Sequence, residues 1–147
     1  MTAVESAVES DVVIRLVDGW DEDEIMHLYR AGGWWKDEYD LKTIPSLIRG
    51  SFAFAVAIDQ RSGHAIGMGR VLSDGVSDAY IQDLVVLPDF RKKGLGREIA
   101  LALIRQCAGA GISWISLIAE PGTELFYRPL GFHPMGGYIP LLWKSDQ

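Results

Sequence analysis

The chain has 147 residues, of which 48% are hydrophobic and 23% are charged, and its net charge at pH 7 is −6. These values are typical of a globular protein with one core, and the acidic balance argues against a general nucleic-acid binder. The sequence has no apolar run of membrane-spanning length and no signal-peptide pattern, and its single cysteine excludes an intramolecular disulfide. We therefore expect a cytoplasmic protein that binds neither nucleic acid nor membrane.

The predicted elements begin after a small-residue, acidic lead. We expect residues 1–10 to be disordered and residues 11–147 to form a single domain, because no linker or repeat interrupts the chain. Hydrophobic periodicity and turn residues predict a strand, two helices and two further strands over Asp11–Val17, Glu24–Ala31, Leu41–Arg49, Phe52–Ile58 and Ala65–Leu72. Ser62–Gly63 and Asp74–Gly75 are predicted to form hairpin turns.

Two tryptophans, Trp34 and Trp35, follow the first helix directly. Adjacent residues cannot share one face of a regular element. We therefore predict that one tryptophan is core and that the other lines a binding surface. The alternative is that both cover the core.

The most informative stretch is the run from Tyr80 to Ala108. Its apolar part, Ile81–Leu87, predicts a buried strand that ends at Pro88. Three cations and two glycines follow, and they lead into a helix with an apolar stripe: Arg91, Lys92, Lys93, Gly94 and Gly96. A basic glycine loop at a helix N-terminus predicts an anion site, because free backbone N–H groups and the helix dipole favour negative charge there.

The spacing of these glycines excludes two common phosphate motifs. A P-loop run is absent, and the position after Gly94 and Gly96 that a dinucleotide fingerprint reserves for glycine holds Ile99. Beyond this helix we predict a strand reached by a parallel crossover, a short helix and two closing strands, over Ile112–Ala119, Thr123–Leu130, Phe132 onward and Tyr138–Trp143.

Two segments in this order resemble the GNAT superfamily of acyl-CoA-dependent N-acyltransferases. One is the R-x-x-G-x-G run from Arg91 to Gly96, and the other is the L-F-Y-R-P-L-G-F run from Leu125 to Phe132. The resemblance covers residues 11 to 143. It implies an α/β GNAT fold, with a mixed, mostly antiparallel sheet of about seven strands, splayed at strand 4 and flanked by about four helices.

The resemblance also implies acetyl-CoA as the acyl donor, with no metal. The strand backbone would pair with pantetheine and the loop amides would hold the pyrophosphate. The implied donor-binding residues are Leu84, Val85, Val86, Arg91, Lys92, Lys93, Gly94, Leu95, Gly96 and Phe126. The histidines are scattered without metal-ligand spacing.

For catalysis, family members place a glutamate at the position of Gln82 or Tyr80, and this chain has neither. Asp83 is adjacent, but regular alternation puts it on the opposite face unless the splay of the strand turns it. Tyr127 occupies the family position of the acid that protonates the leaving thiolate, with a packed aromatic as the alternative. Glu120 replaces a frequent asparagine. We predict Tyr127, Gln82 and Asp83 as catalytic candidates.

The resemblance implies transfer of an acetyl group to a primary amine of a small molecule by direct attack in a ternary complex. The finer likeness is to arylalkylamine-type members, and polyamines are the other acceptor class. We predict that Trp34, Trp35 and Tyr80 bind the acceptor and that the chain forms a homodimer. The alternatives are a CoA-binding sensor or interaction module without turnover, and an acetyltransferase of protein lysines or N-termini.

Overall fold

The computed structural model describes residues 5–9 and 11–145. Its centre is one sheet of six strands, which follow one another in space in chain order. The strands are β1 (Glu5–Glu9), β2 (Val12–Leu16), β3 (Ala53–Asp59), β4 (His64–Ser73), β5 (Asp78–Val86) and β6 (Trp114–Ser116). Neighbours pair antiparallel from β1 to β5, and β5 and β6 pair parallel. The predicted mixed, mostly antiparallel sheet is confirmed.

Four α-helices accompany the sheet within the described residues. They are α1 (Glu22–Ala31), α2 (Ile44–Gly50), α3 (Leu95–Gly109) and α4 (Glu124–Tyr127). Short 3₁₀ turns precede α2 and α3 and follow α4, over Leu41–Thr43, Pro88–Phe90 and Arg128–Leu130. The side chain of Asp21 caps α1 by accepting from the Glu24 N–H, which explains why the helix begins there.

Within the unit that contains the sheet, α1 and α2 cover one face and α3 covers the other. Side chains of α1 and α2 join a buried cluster with alternate residues of β3 and β4, such as Phe54, Val56 and Met68. Gly69, which alternation places on the opposite face, faces α3: a Cβ there would lie 3.1 Å from both Ile99 and Leu103. The missing side chain lets α3 lie close to the sheet. The α1 face of β4 and β5 is the one on which the predicted Gln82 lies.

The chain forms two compact units, Met1–Leu117 and Ile118–Gln147. The prediction of a single domain over 11–147 stays a prediction. None of the described helices is both long and apolar enough to cross a bilayer. Cys107 is buried in α3, as its place on the apolar stripe predicts, and burial raises the pKa of its thiol.

Four predicted segments differ from the structure. Glu5–Glu9 pairs with β2 although residues 1–10 were expected to be disordered; residues 1–4 and 10 lie outside the described residues. The strand predicted over Ile112–Ala119 shortens to β6. The two strands predicted from Phe132 and over Tyr138–Trp143 are absent, so six strands replace the expected seven among the described residues. Pro140 lacks a ladder donor, and β-propensity needs a partner surface, which the second unit taken alone does not supply.

Candidate acetyl-transfer site

The pairing of β5 changes along its length. β6 pairs only with its first three residues, Asp78–Tyr80. Consequently Leu84, Val85 and Val86 have no strand partner on that side within the described part of the chain. This is the edge at which the family resemblance implies that pantetheine binds as an added strand.

In the loop after β5, the first cation, Arg91, is hydrogen-bonded to the end of the strand. The Nε of Arg91 donates to the Val86 carbonyl oxygen at 2.8 Å, so this carbonyl is occupied and Arg91 is tied to the strand end. Lys93 lies over the Phe90 ring, with Nζ 5.7 Å from the ring centroid. Neither Lys92 nor Lys93 forms an ion pair with any carboxylate of the described residues, which leaves both charges available to an anion.

Gly94 is the N-cap residue directly before α3 and has a left-handed conformation, with φ of 80°; no side chain caps the helix. A Cβ at Gly94 would meet no heavy atom within 4 Å, so the space above the backbone is open. The first N–H groups of a helix lack intrahelical partners. Gly94, Leu95 and Gly96 therefore form the open, positive helix start that a pyrophosphate requires.

A bulge in the middle of β5 turns Asp83 to the other face of the sheet. The register passes from Met68↔Val85 to Arg70↔Gln82, so Gly69 alone faces two residues, Asp83 and Leu84. Asp83 adopts φ of 62°, which is uncommon for a residue other than glycine. The carboxylate that regular alternation places on the α3 face therefore lies on the α1 face with Gln82.

Side chains from two other elements converge on the Asp83 carboxylate of β5. Its Oδ2 accepts from the Tyr29 hydroxyl of α1 and from the Arg70 Nε of β4, each at 2.7 Å. The Arg70 Nη2 also donates to Gln82 Oε1 at 3.2 Å. The side chains of Arg70 and Asp83 are only 15% and 14% exposed. We call Tyr29, Arg70, Gln82 and Asp83 the β5 cluster.

Burial and the Asp83 charge raise the pKa values of two tyrosines, Tyr29 of the β5 cluster and the nearby Tyr80. Burial, followed by the Asp83 charge, raises the pKa of Tyr29 well above its ordinary value, so its hydroxyl stays a donor. Burial and the same carboxylate raise the pKa of Tyr80, which is half-buried on β5. Sequence reasoning missed Tyr29 and Arg70. A basic residue cross-strand from Gln82 was the one available signal.

The two predicted tryptophans lie against Tyr29. The ring centroids are 6.2 Å apart for Trp34 and 6.4 Å for Trp35, and both tryptophans are half-buried. The Trp35 ring also packs edge to face with the exposed Tyr39, and the ring centroids are 5.5 Å apart. The aromatic pair and the β5 cluster are thus joined through one tyrosine. The division into one core and one lining tryptophan stays a prediction.

Tyr127 and Phe126 belong to the second unit. The Tyr127 ring packs edge to face on Phe126 at 4.9 Å and on Phe132 at 5.9 Å. Burial, followed by the charge of Glu120, raises the pKa of Tyr127 above its ordinary 10.0. The hydroxyl therefore remains protonated at neutral pH, which a proton donor needs.

A separate groove of about 390 Å³ is lined by the first half of α1, the β3–β4 hairpin and the segment from Leu87 to Phe90. It contains none of the predicted site residues. No group of three His, Cys, Asp or Glu side chains in the described ranges is placed to hold a metal ion. The prediction that the chain needs no metal stays a prediction.

Comparison with known proteins places this geometry in a family. The chain is 37% identical over 111 residues to the "Uncharacterized N-acetyltransferase ycf52" of Porphyra purpurea, covering 74% of this chain and 63% of that protein. It is 41% identical over 71 residues to the "Serotonin N-acetyltransferase 2, chloroplastic" of Oryza sativa subsp. japonica, covering 48% and 36%. The chain thus spans less than two thirds of the length of these relatives.

A solved structure, a GNAT-family acetyltransferase of Streptococcus pneumoniae TIGR4, superposes with a TM-score of 0.77 at 22% identity, covering 92% of this chain and 99% of that one. This likeness shows the fold, and the predicted GNAT fold class is confirmed. Residues 18–132 match the model of the acetyltransferase (GNAT) family. The chain therefore belongs to the acetyltransferase (GNAT) family.

Proposed function

We propose that this chain transfers an acetyl group from acetyl-CoA to a primary amine of a small molecule, by direct attack in a ternary complex. The observation that carries the proposal is the β5 edge, which has no strand partner from Leu84 to Val86 on the β6 side and leads through the Arg91 loop into the uncapped start of α3. An extended, amide-containing arm would pair with such an edge, and its pyrophosphate would meet the helix N-terminus.

The acceptor must lose a proton before or during attack. An amine with a pKa near 10.4 is almost fully protonated at pH 7, and freeing its lone pair costs about 4.6 kcal/mol. We assign this proton to Asp83, directly or through a water. Its Oδ2 is occupied by Tyr29 and Arg70, whereas Oδ1 has no hydrogen-bond partner among the described residues.

The reaction then breaks the bond between the carbonyl carbon and sulfur, and the thiolate takes a proton. We assign this proton to Tyr127, whose raised pKa keeps it protonated. A tyrosine need not transfer the proton fully in the transition state, because a hydrogen bond to the developing thiolate already stabilises it.

The acceptor class we favour is an arylalkylamine, with a polyamine as the second class. The half-buried Trp35 lies between Tyr29 and the exposed Tyr39, and such a wall suits an aromatic ring by stacking or an ammonium by cation–π attraction. One relative is named for serotonin, an arylalkylamine. Cytoplasmic location and homodimerisation stay predictions, and that relative is named as chloroplastic.

The alternative function is a CoA-binding module without turnover. The absence of a carboxylate at Gln82 favours it, and the turning of Asp83 to the Gln82 face counts against it. A protein lysine or N-terminus is the other acceptor to be tested.

The deciding experiment measures thiol release from acetyl-CoA with a panel of amines: tryptamine, phenethylamine, spermidine and a lysine peptide. We expect turnover with a small amine and an acetylated product by mass spectrometry, and a 10- to 1000-fold lower kcat for Tyr127→Phe, an order-of-magnitude range for acid–base groups. Binding of acetyl-CoA without turnover of any amine would identify a binding module.

The donor site is tested at Gly94. Its φ of 80° strains most side chains, so Gly94→Asn is preferable to Gly94→Val, because asparagine tolerates this conformation. We expect Gly94→Asn to weaken CoA binding in a calorimetric titration while retaining the circular dichroism of the wild type. Gly109→Asn, at the far end of α3, is the matched control, since a Cβ there also meets nothing within 4 Å.

A further inference from the structure

One guanidinium holds two consecutive side chains of a strand. Arg70 donates through Nε to Asp83 and through Nη2 to Gln82. In a regular strand these neighbours would point to opposite faces and could not share one partner. The bulge and the left-handed Asp83 make the shared contact geometrically accessible.

The direction of these hydrogen bonds determines what Gln82 offers to a ligand. Arginine has donors and no acceptor, so the Gln82 atom that faces it must be the carbonyl oxygen. The amide NH2 group is left, and no other described residue hydrogen-bonds the Gln82 side chain. Gln82 is half-buried rather than enclosed, so a bound ligand can reach it.

We propose that Arg70 is a positioning residue that presents the Gln82 NH2 group to the carbonyl oxygen of the acetyl group. This inference rests on the proposed function, because it needs acetyl-CoA along β5. When the amine nitrogen attacks the carbonyl carbon, the electron pair of the C=O bond moves onto that oxygen. A hydrogen-bond donor already held in place stabilises the charge as it develops.

This role is opposite to that of a base. A glutamate at position 82 would pair with Arg70 through one oxygen and present a second acceptor in place of the NH2 group. If Gln82 serves as a donor, Gln82→Glu removes the useful group. If position 82 is instead a base site that this chain has lost, Gln82→Glu restores it. The single substitution therefore separates the two roles by the sign of its effect.

The kinetic experiment measures kcat and KM for the best amine of the panel. We expect Gln82→Glu to lower kcat about 100-fold with little change in the acetyl-CoA KM, as for loss of one oxyanion donor. Arg70→Lys keeps a charge beside Asp83 but loses the planar guanidinium that donates to Asp83 and Gln82 together, and we expect a kcat loss of about tenfold. Arg61→Lys, an exposed arginine paired with Asp11, should leave kcat unchanged. An equal or higher kcat for Gln82→Glu would overturn the proposal.

A second measurement needs no turnover. The two side-chain amide protons of Gln82 give a pair of NMR signals that is identified by its absence in Gln82→Glu. We expect acetyl-CoA to shift this pair and CoA, which lacks the carbonyl, to shift it much less. Arg70→Lys should reduce the difference between the two ligands. Equal shifts with both ligands would overturn the proposal, whereas a shift specific to acetyl-CoA in a protein that turns over no amine would support it and reject the proposed function.

Discussion

Helix α1 is fixed to the sheet at two points, and the two are built differently. Near its start, Glu24 accepts from the Trp20 indole, the Ala65 backbone N–H and the His64 ring, at 2.9, 2.7 and 3.1 Å. Near its end, Tyr29 donates to Asp83 in the β5 cluster. We call the first the Glu24 anchor.

The two points differ in burial and in backbone geometry. In the Glu24 anchor, the side chain of His64 is 66% exposed, and the carboxylate of Glu24 lies on a helix of ordinary conformation. In the β5 cluster both charged side chains are mostly buried, and the carboxylate sits on a left-handed residue within a bulge. Holding a mostly buried charge on a residue with left-handed backbone conformation costs free energy. A functional site explains this cost better than a role in fixing the helix does. Four predictions test this distinction.

The largest effect on stability should come from Arg70→Met. It leaves the mostly buried Asp83 carboxylate without its counterion, which costs about 3–5 kcal/mol of unfolding free energy. Urea denaturation measures it, and adding Asp83→Asn should recover part of the loss, since no charge then remains unpaired. Arg61→Met breaks an exposed pair with Asp11 and should cost no more than about 1 kcal/mol. Equal costs at the two arginines would show that the Asp83 charge is solvated.

The tryptophans beside Tyr29 should separate into two roles. A Cβ on Gly32 would lie 2.4 Å from the Trp34 ring, so Trp34 packs directly on the end of α1. Trp34→Ala should therefore cost about 2–3 kcal/mol, below the range for a fully buried tryptophan. Trp35→Ala should instead raise the acceptor KM and leave the acetyl-CoA KM unchanged, in steady-state kinetics.

If both variants lose only thermal stability, the pair is structural. The acceptor would then have to be sought along Tyr80 and Gln82.

Sequence reasoning predicted most of the sheet and the glycine-containing start of α3, because these depend on local patterns. The apolar runs of β3 to β5 and the cations and glycines from Arg91 to Gly96 are readable in order. The β5 cluster was only half predicted: Gln82 and Asp83 were named, but Tyr29 is 54 residues away from Asp83 in the chain. Such a pairing depends on tertiary contacts, and the bulge that turns Asp83 has no signature in its own residues.

Composition was misleading at both ends of the chain: it missed a strand near the N-terminus and predicted one near the C-terminus that is absent from the described residues. Glu5–Glu9 has a small, acidic composition, yet β2 offers it an edge to pair with. The segment from Tyr138 to Trp143 has the apolar composition of a strand but no described partner, and its Leu141 remains 90% exposed. Strand formation depends on the neighbouring surface, which composition does not report.

The Glu24 anchor and the β5 cluster can be compared directly by changing one hydrogen-bonding group in each. Tyr29→Phe removes a bond to a charged acceptor and should cost about 1.5–3 kcal/mol, whereas Glu24→Gln keeps its shape and should cost about 1 kcal/mol. Thermal unfolding measures both. The sharper readout is kcat, which Tyr29→Phe should lower and Glu24→Gln should not. Equal kcat for the two variants would mean that α1 is merely anchored twice.

The smallest effect is a pH dependence confined to the Glu24 anchor. Burial alone would raise the pKa of Glu24, but the bonds from Trp20, Ala65 and His64 outweigh it and hold the pKa below its ordinary 4.5. A carboxyl group with a depressed pKa stabilises the fold above its unfolded pKa, and this stability is lost as the pH falls through the folded pKa. The advantage of the wild type over Glu24→Gln that comes from the Glu24 charge should therefore decline as the pH falls below about 4.5. Urea midpoints of both proteins between pH 7 and pH 3 measure the decline, which we expect to total under about 1 kcal/mol. A difference that stays constant across this range would show that the charge of Glu24 does not contribute to stability. The Glu24 anchor would then act through packing alone, unlike the charged pair in the β5 cluster.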